Sequence, residues 1–238
     1  GKTAIITGAS KGIGKGIAFA YGAEGATLVL ASRNKDNLLK LDDELRADGF
    51  ASLVIPTDVS IEVDVINLFS RTMKEFGGVD ILVNNAGIFD GGPLDEISLA
   101  TWQKVIDVNL TGAFLCSREA MKIMKKQRFG RIINIGSISS QTPRLNDAAY
   151  ATSKHALVGL TKSTALEGRE FGIAASCLHP GNVITERRRI SNAEKDQEPM
   201  MMPADIAMTA VTMAALPPYV NMLEAIVLPV TQKYVGRG

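Results

Sequence analysis

Two hydrophobic periods alternate along this chain from end to end, and that alternation restricts its fold more than any other feature. Short runs rich in β-branched residues recur at 3–7, 27–31, 53–57, 80–84, 131–136, 173–178 and 224–228. Each is apolar on both of its faces, the pattern of a strand buried between two layers. Segments of helical period separate them, at 13–23, 35–48, 61–76, 99–127, 148–171 and 204–216. A parallel neighbour is reached only by a crossover long enough to hold a helix, so regular alternation of buried strands with helices implies a parallel sheet. The expected class is α/β, with the sheet wound in both directions from a switch point and helices on both faces.

The 238 residues suffice for one large α/β domain, and no linker, repeat or low-complexity tract divides them. A single domain over residues 1–238 is therefore expected. The one long irregular stretch, residues 184–202, is polar, charged and followed by Pro203. In a compact domain such a loop is a lid, a binding loop or disordered. Twenty-six basic against 25 acidic residues leave a net charge of +1, which offers no attraction for nucleic acid or an anionic membrane surface. No apolar run approaches the roughly 18 residues of a membrane span, and the first residues lack the charged and apolar regions of a signal peptide. The expectation is a soluble, cytoplasmic protein. Cys116 and Cys177 stand far apart without CxxC spacing or clustered histidines, so both read as reduced core thiols and no metal site is expected.

The first apolar run ends in Thr7-Gly8-Ala9-Ser10-Lys11-Gly12-Ile13-Gly14 and passes directly into a helical pattern. Glycines at such a turn let backbone amides approach a pyrophosphate at the positive helix N-terminus; the competing reading is a glycine turn without a ligand. The second run ends in Ser32-Arg33, where a dinucleotide fold places the adenosine ribose. A carboxylate there would accept from the 2′-hydroxyl of NAD, whereas a guanidinium pairs with the 2′-phosphate of NADP. Arg33, with Lys11 as a second cation, favours NADP(H) over NAD(H). Asp58-Val59 and Asn85-Ala86-Gly87 follow the third and fourth runs, where open sheets bind ligands, although Asn and Gly also make turns with no ligand at all.

Tyr150 and Lys154 are four residues apart in a helical segment and so share one face, within reach of one ligand. Ser137 ends the fifth run, thirteen residues before Tyr150. Asn109 is a polar residue inside a largely apolar helical pattern, unfavourable there unless its amide finds partners.

Taken together, TGASKGIG, NNAG, Asn109, Ser137 and Tyr150-x-x-x-Lys154 resemble the short-chain dehydrogenase/reductase family, in its order and spacing over nearly the whole chain. The resemblance implies a Rossmann-type domain with a seven-stranded parallel sheet. It implies Tyr150 as general acid/base, Lys154 as its activator, Ser137 as the hydroxyl that orients a carbonyl and Asn109 as a proton-relay residue. It implies Gly8, Ser10, Lys11, Gly12, Ile13, Gly14, Ser32, Arg33, Asp58, Val59, Asn85, Ala86, Gly87, Tyr150, Lys154, Pro180, Gly181, Val183 and Thr185 at the cofactor. Ser139, Gln141, Arg144 and Asn182 become pocket candidates for a small carbonyl or secondary alcohol. His155 points about 100° away from Lys154 on the helix and reads as a surface or interface residue. His179 stands where the family often has asparagine or another small polar residue, and reads as a variant of that position.

Arg187-Arg188-Arg189 could attract an anionic substrate, though a charge run on a loop is usually a solvated face. Residues 220–232 resemble the same part of family reductases acting on short 3-oxo and 3-hydroxy acids. Phe114, Leu157, Leu160 and Leu166 exceed the apolar content that one sheet contact requires, and relatives build oligomers with these helices, so a homotetramer is expected, with a homodimer as alternative. A catalytically silent scaffold is disfavoured because all four catalytic positions are filled. An epimerase or dehydratase of the extended branch is disfavoured because the glycine loop is not GxxGxxG and no larger C-terminal substrate domain follows.

Overall fold

The computed structural model describes residues 1–186 and 198–233. Seven strands, β1 (Thr3–Thr7), β2 (Thr27–Ser32), β3 (Ser52–Pro56), β4 (Ile81–Asn84), β5 (Gly130–Ile135), β6 (Ile173–Pro180) and β7 (Glu224–Val227), form one parallel sheet in the order β3-β2-β1-β4-β5-β6-β7. The crossovers are α1 (Gly12–Ala23), α2 (Lys35–Ala47), α3 (Glu62–Phe76), α4 (Leu99–Ile106) with α5 (Gly112–Gln127), α6 (Ala148–Gly168) and α7 (Pro203–Ala215). This is the parallel α/β sheet expected from the alternating periods, with the seven strands and Rossmann-type architecture that the resemblance implies.

The pleat sorts neighbouring residues into two cores. Ile6, Leu28, Leu30, Val83 and Ile133 face a layer formed with Ile17, Leu41, Leu45, Ile206 and Met213 of α1, α2 and α7. Their sequence neighbours Ile5, Val29, Leu82 and Ile132 face Leu68, Phe69, Leu115 and Met124 of α3 and α5. Both faces are covered, which is why the runs are apolar throughout instead of alternating. Each fully buried side chain of this size contributes about 1.5–3 kcal/mol.

The chain runs from β1 outward to β3 and then returns to the other side of β1, so the switch point lies between β1 and β4. The loops that leave these two strands diverge there and open a cleft beyond the strands' carboxyl ends. Polar contacts hold the sheet beneath the cleft. Asn84 donates to Asn134 Oδ1 at 2.8 Å, and Asn134 donates to Thr161 Oγ1 at 2.8 Å, linking β4, β5 and α6. The buried Arg131 guanidinium donates to the carbonyls of Val220, Leu216 and Pro217 at 2.6–2.8 Å, and so fastens the end of α7 to β5.

Three expectations are corrected. The helical segment 99–127 is interrupted by a π turn, Asp107–Thr111, in which the Gly112 amide reaches back to the Asp107 carbonyl. The inserted residue is stabilised by tertiary contacts of Asn109, described below, and so leaves no mark on the apolar period. The segment 148–171 ends as α-helix at Gly168 and continues as a short 3-10 turn, Arg169–Phe171. Strand β6 extends through His179 and Pro180, two residues past the expected end, because β7 pairs with it to Pro180↔Val227. A terminal proline is tolerated in a strand because it removes only one ladder donor.

Candidate active site

Gly8 turns the chain away from β1 with φ +61, and a Cβ on it would lie 2.8 Å from Ala86 Cα. A Cβ on Gly14 would collide with the Gly8 carbonyl oxygen and Asn85 Nδ2. Only glycine permits this approach of the turn to α1 and to the loop after β4. Thr7 Oγ1 accepts the N–H groups of Asn85 and Ala86 at 3.0 Å, while Asn85 Nδ2 donates to the Thr7 and Gly8 carbonyls at 3.0 Å. The Asn85 side chain therefore clamps the two loops that frame the switch point.

Helix α1 begins at Gly12 behind Lys11, which supplies no side-chain cap, so its first-turn N–H groups point from the turn carrying Ser10 and Ile13 without a capping acceptor. That is the arrangement a pyrophosphate completes. At the end of β2, Ser32 Oγ is buried without a hydrogen-bond partner among the described residues. Beside it Arg33 is 63% exposed, its Nη1 4.0 Å from Asp58 Oδ2. Asp58 Oδ1 is spent on the Ser60 amide and hydroxyl at 3.0 and 2.6 Å. Val59 is buried in the core, leaving only its backbone for a ligand. Glycine cradle, uncapped helix, orphaned serine hydroxyl and exposed guanidinium fit a dinucleotide lying along the strand ends.

The catalytic candidates converge on the neighbouring edge. Tyr150 and Lys154 lie one turn apart on α6; Lys154 Nζ stands 5.7 Å from the Tyr150 ring centre and donates to the Ile135 carbonyl at 2.7 Å. Lys154 is buried, and no carboxylate pairs with it among the described residues. Ser137 follows β5 in extended conformation and opens a 3-10 turn, Ile138–Ser140. Its Oγ accepts the Ser139 N–H at 3.1 Å and leaves the hydroxyl hydrogen available. Asn109, buried in the π turn, accepts the Ile88 N–H at 2.8 Å and donates to the Ile88 carbonyl at 2.9 Å and to Ser153 Oγ at 3.1 Å. Ser153 in turn donates to the Tyr150 carbonyl at 2.7 Å. A Cβ on Gly87 would lie 3.5 Å from Asn109 Oδ1 and 3.8 Å from Lys154 Nζ, which places Gly87 beside both.

The remaining candidates line the far side. Pro180 ends β6, and Gly181 donates to the Val227 carbonyl at 2.8 Å. Val183 bridges to Met201; the Ile184 N–H donates to the Met201 carbonyl and the Met201 N–H to the Asn182 carbonyl, each at 2.9 Å, so the long loop leaves and returns at one point. Thr185 lies over the glycine turn, where a Cβ on Gly12 would come within 3.2 Å of its Cγ2. Arg144 Nη2 reaches Asn182 Oδ1 at 3.1 Å and Glu198 Oε2 at 3.3 Å, and Asn182 Nδ2 donates to Glu198 at 2.6 Å. The Arg144 charge is thus largely answered by Glu198. Gln141 is exposed, and Ser139 is buried beneath the turn. Arg187, Arg188 and Arg189 lie outside the described residues.

Several participants escaped the sequence reading. Phe89 packs its ring 5.0 Å from Tyr150 and tilted by 54°. Ser153 links Asn109 to α6, and Glu198 ties the returning loop to Arg144. The position of Ser153 beside Lys154 in a helix was a usable signal for that residue; Phe89 and Glu198 depend on loop paths. His155 is exposed on α6, as its helical angle implied. Both cysteines are free and buried, and burial pushes the thiols up to about 12 for Cys116 and about 11 for Cys177, so neither is a thiolate near neutrality.

A family model described as short chain dehydrogenase matches residues 2–196. The chain is 36% identical over 197 residues to a 3-oxoacyl-[acyl-carrier-protein] reductase of Synechocystis sp., covering 81% of this chain and 78% of the relative. It is 34% identical over 203 residues to a D-beta-hydroxybutyrate dehydrogenase of Cupriavidus necator, covering 84% and 79%. The crystal structure of a candidate gluconate dehydrogenase from Agrobacterium tumefaciens superposes with a TM-score of 0.90 at 35% identity, covering 95% of this chain and 94% of that one.

Proposed function

The chain belongs to the short-chain dehydrogenase/reductase family, and from that premise we propose that it is an NADP(H)-preferring oxidoreductase acting on a small carbonyl compound or the matching secondary alcohol. The observation that carries this reading is the Lys154 ammonium, held by the Ile135 carbonyl beside the Tyr150 ring with no acid paired to it among the described residues.

A bound nicotinamide supplies or receives the hydride; this chain's residues hold the carbonyl and move the proton. Ser137 Oγ–H donates to the carbonyl oxygen as negative charge develops there. Tyr150 gives its phenolic proton to the same oxygen, a general-acid contribution of about 10²–10⁴ in rate. A free phenol, with a pKa of about 10, yields its proton reluctantly at neutral pH, and the adjacent ammonium stabilises the phenolate left behind. Asn109 pins the Ile88 loop and Ser153 beside Lys154, and we assign it to the path that returns a proton from solvent.

Arg33 and Lys11 supply the positive charge for a 2′-phosphate, and Ser32 Oγ is a donor for the same group. Similarity to a 3-oxoacyl-[acyl-carrier-protein] reductase and a D-beta-hydroxybutyrate dehydrogenase supports a short oxo or hydroxy acid derivative as substrate. Phe114 and Leu166 are 45% and 59% exposed on α5 and α6 and support homotetramer formation, or failing that a dimer, whereas Leu157 is spent in this chain's own core. No helix among the described residues is long and apolar enough to cross a membrane, which agrees with a cytoplasmic enzyme.

The test is NADPH oxidation across a panel of sugars, 3-oxo esters, short semialdehydes and diketones, with Tyr150→Phe in parallel. Turnover of at least one class, lost on removing that hydroxyl while NADPH still binds, is the expected result. Undiminished turnover in Tyr150→Phe would remove the assignment.

A further inference from the structure

We propose that His179 is a positioning residue for Ser137, tethering the turn that aims its hydroxyl to the edge of the sheet. This rests on the reading of Ser137 as the group that orients the carbonyl. The extension of β6 past its expected end is what brings His179 under the turn, with its side chain wholly buried. Its Nδ1 lies 3.2 Å from the Ser137 carbonyl oxygen and 3.2 Å from Ser140 Oγ. The turn's internal bonds, Ser140 N–H to the Ser137 carbonyl at 2.9 Å and Ser137 N–H to Ser140 Oγ at 3.3 Å, set its shape but not its place relative to Tyr150. Among the described side chains, the His179 imidazole is the one that reaches both ends of the turn from outside it.

The chemistry fixes one edge of the ring. A carbonyl oxygen can only accept, so Nδ1 carries the hydrogen that makes the tether. On the other edge Nε2 faces Glu224 Oε2 at 3.4 Å, and the second oxygen of that carboxylate, Oε1, is engaged by Lys162 at 2.9 Å. Burial holds the imidazole below its usual pKa, against the pull of the Ser137 carbonyl and Glu224 and with a smaller push from Lys154. The Cys177 thiol, 4.0 Å from Nδ1, completes the surroundings. Gly136 is part of the device, since a Cβ there would come 2.5 Å from Nδ1 and push the ring away from the turn.

The experiment compares His179→Leu, of similar bulk but without a donor, with His179→Asn, whose Nδ2 sits at the same branch as Nδ1. The readouts are NADPH reduction of ethyl 3-oxobutanoate, or of whichever panel carbonyl is turned over fastest, NADPH dissociation constants and amide exchange at residues 138–141. Expected for His179→Leu is a kcat loss of about tenfold to a hundredfold, the effect of a misplaced reacting group, with KM and the NADPH constant nearly unchanged. Exchange in the turn should quicken, and asparagine should restore most of both. Equal kcat in wild type and His179→Leu, or equal losses in leucine and asparagine variants, would overturn the proposal. If the leucine variant does not fold, Gly136→Ala takes its place, its Cβ displacing the ring from the turn while leaving the turn's own hydroxyls in place; several-fold slower turnover supports the tether and unchanged turnover overturns it. Ser137→Ala separates the two readings: if it turns over normally, the Ser137 assignment fails, whereas its inactivity beside an unaffected His179→Leu refutes the tether alone.

Discussion

Lys154 Nζ donates a 2.7 Å hydrogen bond to the Ile135 carbonyl while standing 5.7 Å from the centre of the Tyr150 ring. A strand end, not an acidic side chain, anchors the ammonium, so its charge stays available to a phenolate and its place is set by the sheet. Lys154→Met keeps the stem's packing and removes the charge. Turnover should fall by about 10² or more in steady-state assays, with the circular dichroism unchanged. A variant within twofold of wild type would show that the ammonium is structural.

Arg33 offers its guanidinium to solvent, loosely opposed by Asp58 at 4.0 Å. Losing a charge-assisted contact costs about 1–3 kcal/mol, and exposure places this case toward the lower end. Arg33→Ala should therefore weaken NADPH several-fold to about a hundredfold and leave NADH nearly unaffected, as read by fluorescence titration of both cofactors. Equal losses would contradict the NADP(H) preference and favour NAD(H).

Asn109 satisfies both backbone groups of Ile88 with one amide, a pairing that leucine can match in volume but not in polarity. Asn109→Leu leaves a donor and an acceptor unpartnered, at about 1–3 kcal/mol each less whatever water recovers. Urea denaturation should register that loss, together with lower turnover. Retained stability would mean that the loop after β4 is held by other contacts.

His179 and Glu224 are among the groups that make folding sensitive to acid. Burial depresses the His179 imidazole, so the unfolded chain takes up a proton that the folded chain resists; the cost begins as pH falls through about 6.5 and levels off below the depressed folded value. The Lys162 hydrogen bond depresses the Glu224 carboxyl against the opposing effect of burial, and its stabilisation, present above about pH 4.3, is lost as pH falls through the lower folded value. Melting temperature should decline in two stages on acidification. His179→Asn should flatten the first stage and spare the second; an unaltered first stage would place that titration elsewhere.

Most of the architecture was legible because both faces of the sheet are covered, which makes every strand an apolar run distinct from the helical periods around it. The Tyr150 and Lys154 relationship was legible for a similar reason, being four residues apart on one helix. The π turn was not, because one inserted residue at Asn109 is stabilised by Ile88 and Ser153, 21 and 44 residues away. The sixth apolar run read as ending at residue 178, yet β7 pairs with β6 as far as Pro180 and carries His179 into the interior. Histidine at that position looked like a substitution of one polar residue for another until the Ser137 turn and Glu224 were seen on its two edges.

By itself the sequence determined the element types, the parallel sheet and the chemical groups stationed at the strand ends, since these follow from backbone period and residue type over short distances. Only the tertiary structure decided which of those groups meet. Thr7 clamps Asn85 across 78 residues, Lys154 reaches Ile135 across 19, and His179 reaches Ser137 across 42. Such meetings are set by strand order and register, which bring distant carboxyl ends to one edge, and no local period encodes that distance.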